Sequence, residues 1–130
     1  MSEVNFFVHG NPIAQGRPKF FRRGSFVGCY DPATSKSWKE TIKWQAIENK
    51  VPMLGGALDM RVVFSLKRPK SLPKKVVHHV KKPDLDNLVK AVKDSLKGIA
   101  YKDDSQIVRC VAEKHYGEPL GVKIQICESR

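Results

Sequence analysis

The chain has 130 residues, enough for one domain with a modest core, and its 41% hydrophobic content excludes a disordered segment. Twenty-four Lys and Arg against 13 Asp and Glu leave a net charge of +11, which favours an anionic partner and puts nucleic acid first. A membrane is disfavoured, because no basic amphipathic helix with a bulky apolar face stands out and no apolar run approaches the roughly 20 residues of a bilayer span.

Val4, Phe6 and Val8 alternate with Asn5 and Phe7, which reads as a strand. From Gly10 to Tyr30 the chain is rich in Gly, Pro, Arg and Phe and reads as a loop or irregular hairpin. No acid lies between Glu3 and Asp31, while Arg17, Lys19, Arg22 and Arg23 cluster there. Phe20, Phe21 and Phe26 are interleaved with them, either as faces for base stacking beside phosphate contacts or as core under a long loop. Ser37-Trp38-Lys39-Glu40 fits a capping box, and Trp38, Ile42 and Ala46 recur at helical spacing. The pattern predicts a helix from about Ser35 to Lys50, stopped before Pro52 and Gly55-Gly56. Trp38 and Trp44 read as core or interface anchors.

Leu58, Met60, Val62, Phe64 and Leu66 alternate with less apolar residues and define the cleanest strand. After Pro69 the stretch to Pro83 carries Lys70, Lys74, Lys75, Lys81 and Lys82, with no acid between Asp59 and Asp84. It reads as a phosphate-gripping loop in preference to a merely solvated, mobile one. Asp84 to Lys97 predicts the second helix, with Leu85, Leu88, Val92 and Leu96 as its buried stripe and Gly98 as its stop. Two strands follow: about Ser105 to His115, with Val108, Cys110 and Ala112 on one face, and Val122 to Cys127, joined by a turn over Gly117 to Gly121. The expected fold is α+β, one domain over residues 1–130: a small mixed sheet of about four strands with two helices, in the order β-α-β-α-β-β.

The three cysteines, Cys29, Cys110 and Cys127, include no Cys-x-x-Cys pair. Cys110 and Cys127 lie in strand-like patterns and read as buried thiols. The first residues lack the charged start and apolar stretch of a secretory signal, so a cytoplasmic setting is expected.

Of the 13 acids, five fall between Asp84 and Asp104. Singly, Asp84 reads as an N-cap and Asp86 as a charge at the positive helix end, worth roughly 0.3–1 kcal/mol. A second pair, Asp103-Asp104, stands just before a strand, where acids are poor strand formers. Basic loops flank both pairs, and carboxylates beside phosphates make sense only with a cation between them. Magnesium suits this role, since it takes oxygen ligands, activates water and neutralises charge growing at phosphorus. A helix from Asp84 to Lys97 is roughly 20 Å long, so Gly98 to Asp104 must run back nearly extended to meet Asp84 and Asp86. Lys90, four residues after Asp86, reads as an i,i+4 partner or as a cation for the charged phosphorus centre. Asp94 continues this face and could orient Lys90, and Asn87 could hold a water or a carboxylate.

Other motifs are weak. His78-His79 has no cysteine nearby, which argues against zinc. No phosphate-binding Gly-rich loop with Lys-Ser or Lys-Thr occurs, so no nucleotide cofactor is expected. No Gly-x-Ser-x-Gly occurs either.

Pro83-Asp84-Leu85-Asp86-Asn87-Leu88-x-Lys90, then Asp94, then Tyr101-Lys102-Asp103-Asp104-Ser105-Gln106-Ile107-Val108, resembles the RusA family of Holliday-junction resolvases. The opening Gly10-Asn11-Pro12-Ile13-Ala14-Gln15-Gly16-Arg17-Pro18-Lys19 is similar to the start of phage and bacterial members. The resemblance implies a homodimeric, magnesium-dependent endonuclease that nicks two opposed strands of a four-way DNA junction. It implies metal-binding carboxylates at Asp84, Asp86 and Asp104, manganese as a possible substitute ion, Lys90 as the catalytic cation, and a bacterial or phage origin. Asp103, Asp94 and Asn87 would be supporting residues. Arg17, Lys19, Arg22, Arg23, Lys74, Lys75, Lys81 and Lys82 are the candidate DNA contacts. Two readings compete: a non-catalytic basic DNA-binding or architectural protein, and a nuclease for other branched or single-stranded DNA.

Overall fold

The computed structural model describes residues 3–14, 19–30 and 33–129. In chain order the elements are β1 (Glu3–His9), β2 (Lys19–Arg23), β3 (Phe26–Tyr30), α1 (Ala33–Glu48), β4 (Leu58–Leu66), α2 (Leu85–Leu96), β5 (Ile107–Tyr116) and β6 (Gly121–Glu128). A single 3-10 turn, Asp104–Gln106, leads into β5.

Period-two alternation in β4 buries Leu58, Met60, Val62, Phe64 and Leu66, and this strand sits inside a four-stranded sheet ordered β1-β6-β4-β5. β6 is antiparallel to both β1 and β4, whereas β4 and β5 are parallel. Parallel neighbours need a crossover, and α2 with its flanking loops supplies it. The sheet is therefore mixed and packed with two helices, as expected. One element was not resolved by the sequence: β2 and β3 pair as a regular antiparallel hairpin, which adds two strands to the expected order.

Both helices turn apolar stripes to the sheet. Trp38, Ile42 and Ala46 of α1 and Leu88, Ala91, Val92 and Leu96 of α2 join one core with Val4, Phe6, Val8, Val122, Ile124 and Ile126. α1 begins at Ala33, so Ser37 lies inside the helix and not at a cap. Trp44 is 65% exposed and does not enter the core. Gly98, at φ 87°, takes the left-handed conformation that ends α2.

Cys110 and Cys127 are exposed, not buried. β5 is an edge strand with only β4 beside it, so its alternate side chains lack the cover that β4 receives. Val108, at 62% exposure, and Val111, at 48%, show the same effect.

Candidate active site

The N-cap and first two turns of α2 carry Asp84, Asp86, Asn87 and Lys90, and helix geometry sorts them. Residues two apart on a helix point about 200° apart, while residues three and four apart share a face. Asp86, Lys90 and Lys93, with Leu85 and Val89, accordingly line one open cavity of about 450 Å³. Asp104 lines the same cavity from the turn before β5, and Cys110 and Ala112 line it from β5 itself. Asp84 and Asn87 line a separate cleft with Pro12, Ile13, Ala14, Lys82 and Pro83. The fold thus brings Asp86, Lys90 and Asp104 to one cavity and places Asp84 in the next. Among the described residues, no three His, Cys, Asp or Glu side chains converge closely enough for a preformed metal cluster.

Asp84 occupies the N-cap position of α2, yet its side chain makes no capping hydrogen bond. Asp86 Oδ1 accepts a 3.0 Å hydrogen bond from the Asn87 amide. Lys90 makes no ion pair among the described residues, so neither Asp86 nor Asp94 neutralises it. Asp94 lines neither cavity.

The turn that carries Asp104 is firmly built. Asp103 caps it, accepting from the Ser105 amide at 3.4 Å, and pairs with Lys97 at 3.8 Å. A side-chain hydrogen bond with Asp104, followed by the Ser105 amide, holds the Asp103 carboxyl below the usual carboxylate range. Gln106 Oε1 accepts from the Lys102 and Asp103 amides at 2.9 and 3.0 Å, and its Nε2 donates to Leu54 O and Gly56 O. Gln106 is a positioning residue that sequence reasoning missed, although Asp-x-x-Gln is a capping-box spacing. Tyr101 is fully buried and its hydroxyl donates to Lys93 O at 2.6 Å, tying the returning chain to α2. Burial first, then the charges of Asp104 and Asp94, push its pKa up, so the phenol stays a neutral donor.

Lys93 and Cys110 were also missed. Cys110 is exposed as a residue, yet partial desolvation pushes its thiol up against a smaller downward pull from Lys93. A protonated thiol is a poor metal ligand, which leaves the carboxylates as the hard donors of the cavity. Oxygen donors few in number and open to solvent fit magnesium, which is held by one or two carboxylates plus waters and substrate oxygens.

Of the expected DNA contacts, Lys82 lines the Asp84 cleft, and Lys81 with Lys82 lines a further cavity beside it. Lys74 and Lys75 are exposed in the long loop, and Arg22 and Arg23 are exposed on the β2–β3 hairpin. Arg17 and the side chains of Lys19, Phe20, Phe21 and Phe26 lie outside the described residues.

Aspartates on a helix start and a strand approach, joined by a lysine and flanked by cationic surface, are the equipment of a metal-dependent phosphodiesterase. The chain belongs to the endodeoxyribonuclease RusA family, whose model matches residues 9–127. The family consists of metal-dependent Holliday-junction resolvases that act on branched DNA, which sets the nuclease reading above an architectural one. The chain is also similar to the uncharacterized protein YqaN of Bacillus subtilis (strain 168), at 36% identity over 139 aligned residues covering 98% of each chain.

Proposed function

We propose that this chain resolves four-way DNA junctions by paired, symmetric nicks, using magnesium held by Asp86 and Asp104 with Asp84 contributing from the adjoining cleft. The observation that carries the reading is the shared cavity of Asp86, Lys90 and Asp104. When bound, magnesium polarises a phosphoryl oxygen and lowers the pKa of water. The chain's own residues do the rest. Lys90 has no ion pair among the described residues and supplies a cation to the negative charge that grows on the phosphoryl oxygens as water attacks and the P–O bond breaks. Tyr101 and Gln106 fix the turn bearing Asp104, so little reorganisation accompanies the reaction.

Two simultaneous nicks require two sites related by a twofold axis, and the sheet supports a dimer built along β5. Among the described residues no strand pairs with the outer edge of this ten-residue strand, which carries exposed Val108, Cys110 and Val111. Antiparallel pairing centred on Val111 sets Arg109 opposite the partner's Glu113 twice, and Cys110 opposite the partner's Ala112. No like charges then face each other. Incubation of the purified protein with labelled four-way junction, with and without magnesium or manganese, tests the function. Symmetric nicking only with the ion supports it; unchanged junction in both arms refutes it.

A further inference from the structure

A third cavity, of about 280 Å³, lies beside the Asp84 cleft and is lined by Lys67, Lys81 and Lys82 together with Asn11, His79 and Tyr116. Among the described residues no carboxylate lines it and none of the three lysines has an ion-pair partner. Three lysines lining one hollow make it electropositive, and an anion would be drawn into it.

His79 adds a second and independent observation. It is only 9% exposed, and its Nδ1 is buried without a hydrogen-bond partner. The charged groups around it are all cationic: Lys67, Lys81 and Lys82 in the cavity, and Lys114 from β5. Burial, then Lys114, hold its pKa below the ordinary histidine value. Smaller upward pulls come from the His79 and Lys81 backbone, and an anion entering the cavity would meet this cationic surrounding.

The cavity is also held in shape. Arg68 lies over the Tyr116 ring at 5.4 Å and donates to Val76 O at 2.7 Å and Pro73 O at 2.6 Å. The His79 and Tyr116 rings are 4.7 Å apart. Lys114 Nζ donates to Lys81 O at 2.8 Å and to Pro83 O at 3.0 Å. The long basic loop is thus fastened to β5 at both ends of its lysine-bearing segment, which lowers the entropy cost of gripping a ligand. Lys82, Pro83 and Pro12 line both this cavity and the Asp84 cleft, and Asp84 and Asn87 of that cleft flank Leu85 and Asp86 of the Asp86 cavity in sequence.

We propose that the cavity of Lys67, Lys81, Lys82 and His79 is a phosphate subsite, which grips a non-scissile phosphodiester of the strand whose neighbouring phosphate enters the Asp86–Asp104 cavity. It deepens the nuclease reading, on which its choice of DNA as ligand rests.

The test measures binding of a labelled four-way junction by fluorescence anisotropy across a salt series, in chelator and without divalent ions, so that no cleavage enters. Lys67→Gln and Lys81→Gln should each weaken binding about tenfold and lower the salt slope by about one. Lys123→Gln removes the same charge from the far side of the sheet and should leave the slope unchanged. In nicking assays Lys67→Gln should raise KM and leave kcat at saturation intact. His79→Gln should remove the extra binding that the wild-type protein gains as pH falls below the ordinary histidine value. Unaltered affinity and slope in both lysine variants, with melting temperatures intact, would overturn the subsite. So would equal losses for Lys123→Gln, which would make the effect one of net charge. Wild-type protein that binds but never nicks would refute the catalytic reading and leave the subsite standing.

Discussion

Asp84 and Asp86, two positions apart at the start of α2, open into different cavities. Their roles should therefore separate. Asp86→Asn and Asp104→Asn should lower kcat for junction nicking by about 10²–10⁴-fold, the value of several kcal/mol of lost charge stabilisation, while junction binding holds or strengthens. Asp84→Asn should instead raise the magnesium concentration needed for half-maximal nicking. Parallel loss of folding in the circular dichroism melt would make these residues structural.

Lys90 lines the cavity with no ion pair among the described residues, and Lys93 stands one turn beyond it. Lys90→Met should cost about 10²–10³-fold in kcat with little change in KM, because the charge it meets exists only in the transition state. Lys93→Met should act mainly on KM. Single-turnover nicking of the two variants side by side distinguishes these outcomes.

Tyr101→Phe removes the bond to Lys93 O and should destabilise the protein by about 1 kcal/mol. The folded pKa of Tyr101 lies above its ordinary value of 10.0, so its contribution to stability is complete below pH 10 and declines as pH rises further. Wild-type protein should lose stability above pH 10 in urea titrations, and the Phe variant should lose less.

The β5 edge gives a test of assembly that needs no DNA. Val111→Cys should form an intersubunit disulfide under mild oxidation, and Val111→Asp should yield monomer by light scattering. A Val111→Asp variant that stays dimeric would move the interface elsewhere.

The core elements were plain in the sequence wherever one face alone is buried. β4, β6 and the stripe of α2 fall where period-two and period-3.6 patterns put them. β5 misled because its alternation, with Cys110 among the apolar positions, looks the same at an edge as in the middle of a sheet. Neighbours, not spacing, decide its exposure. At the site, the acids, Lys90 and the basic flanks were legible as residue types in order. The division of Asp84 from Asp86 follows from helix pitch but needed the helix start, which fell at Leu85 and not at Asp84. The capping role of Gln106 was open to the Asp-x-x-Gln spacing, but its hold on Leu54 was not, nor were the roles of Tyr101 and His79, because Leu54, Lys93 and Tyr116 are brought to them only by tertiary contact.

Asp86 rides on a helix and Asp104 on the approach to a strand, and the wedge between those two supports is made of Leu88, Val92 and their sheet neighbours. A methyl group added or removed in that wedge would shift the jaws of the enzyme relative to each other without altering any residue that touches DNA. Turnover could therefore be tuned, or silently lost, through purely hydrophobic substitutions.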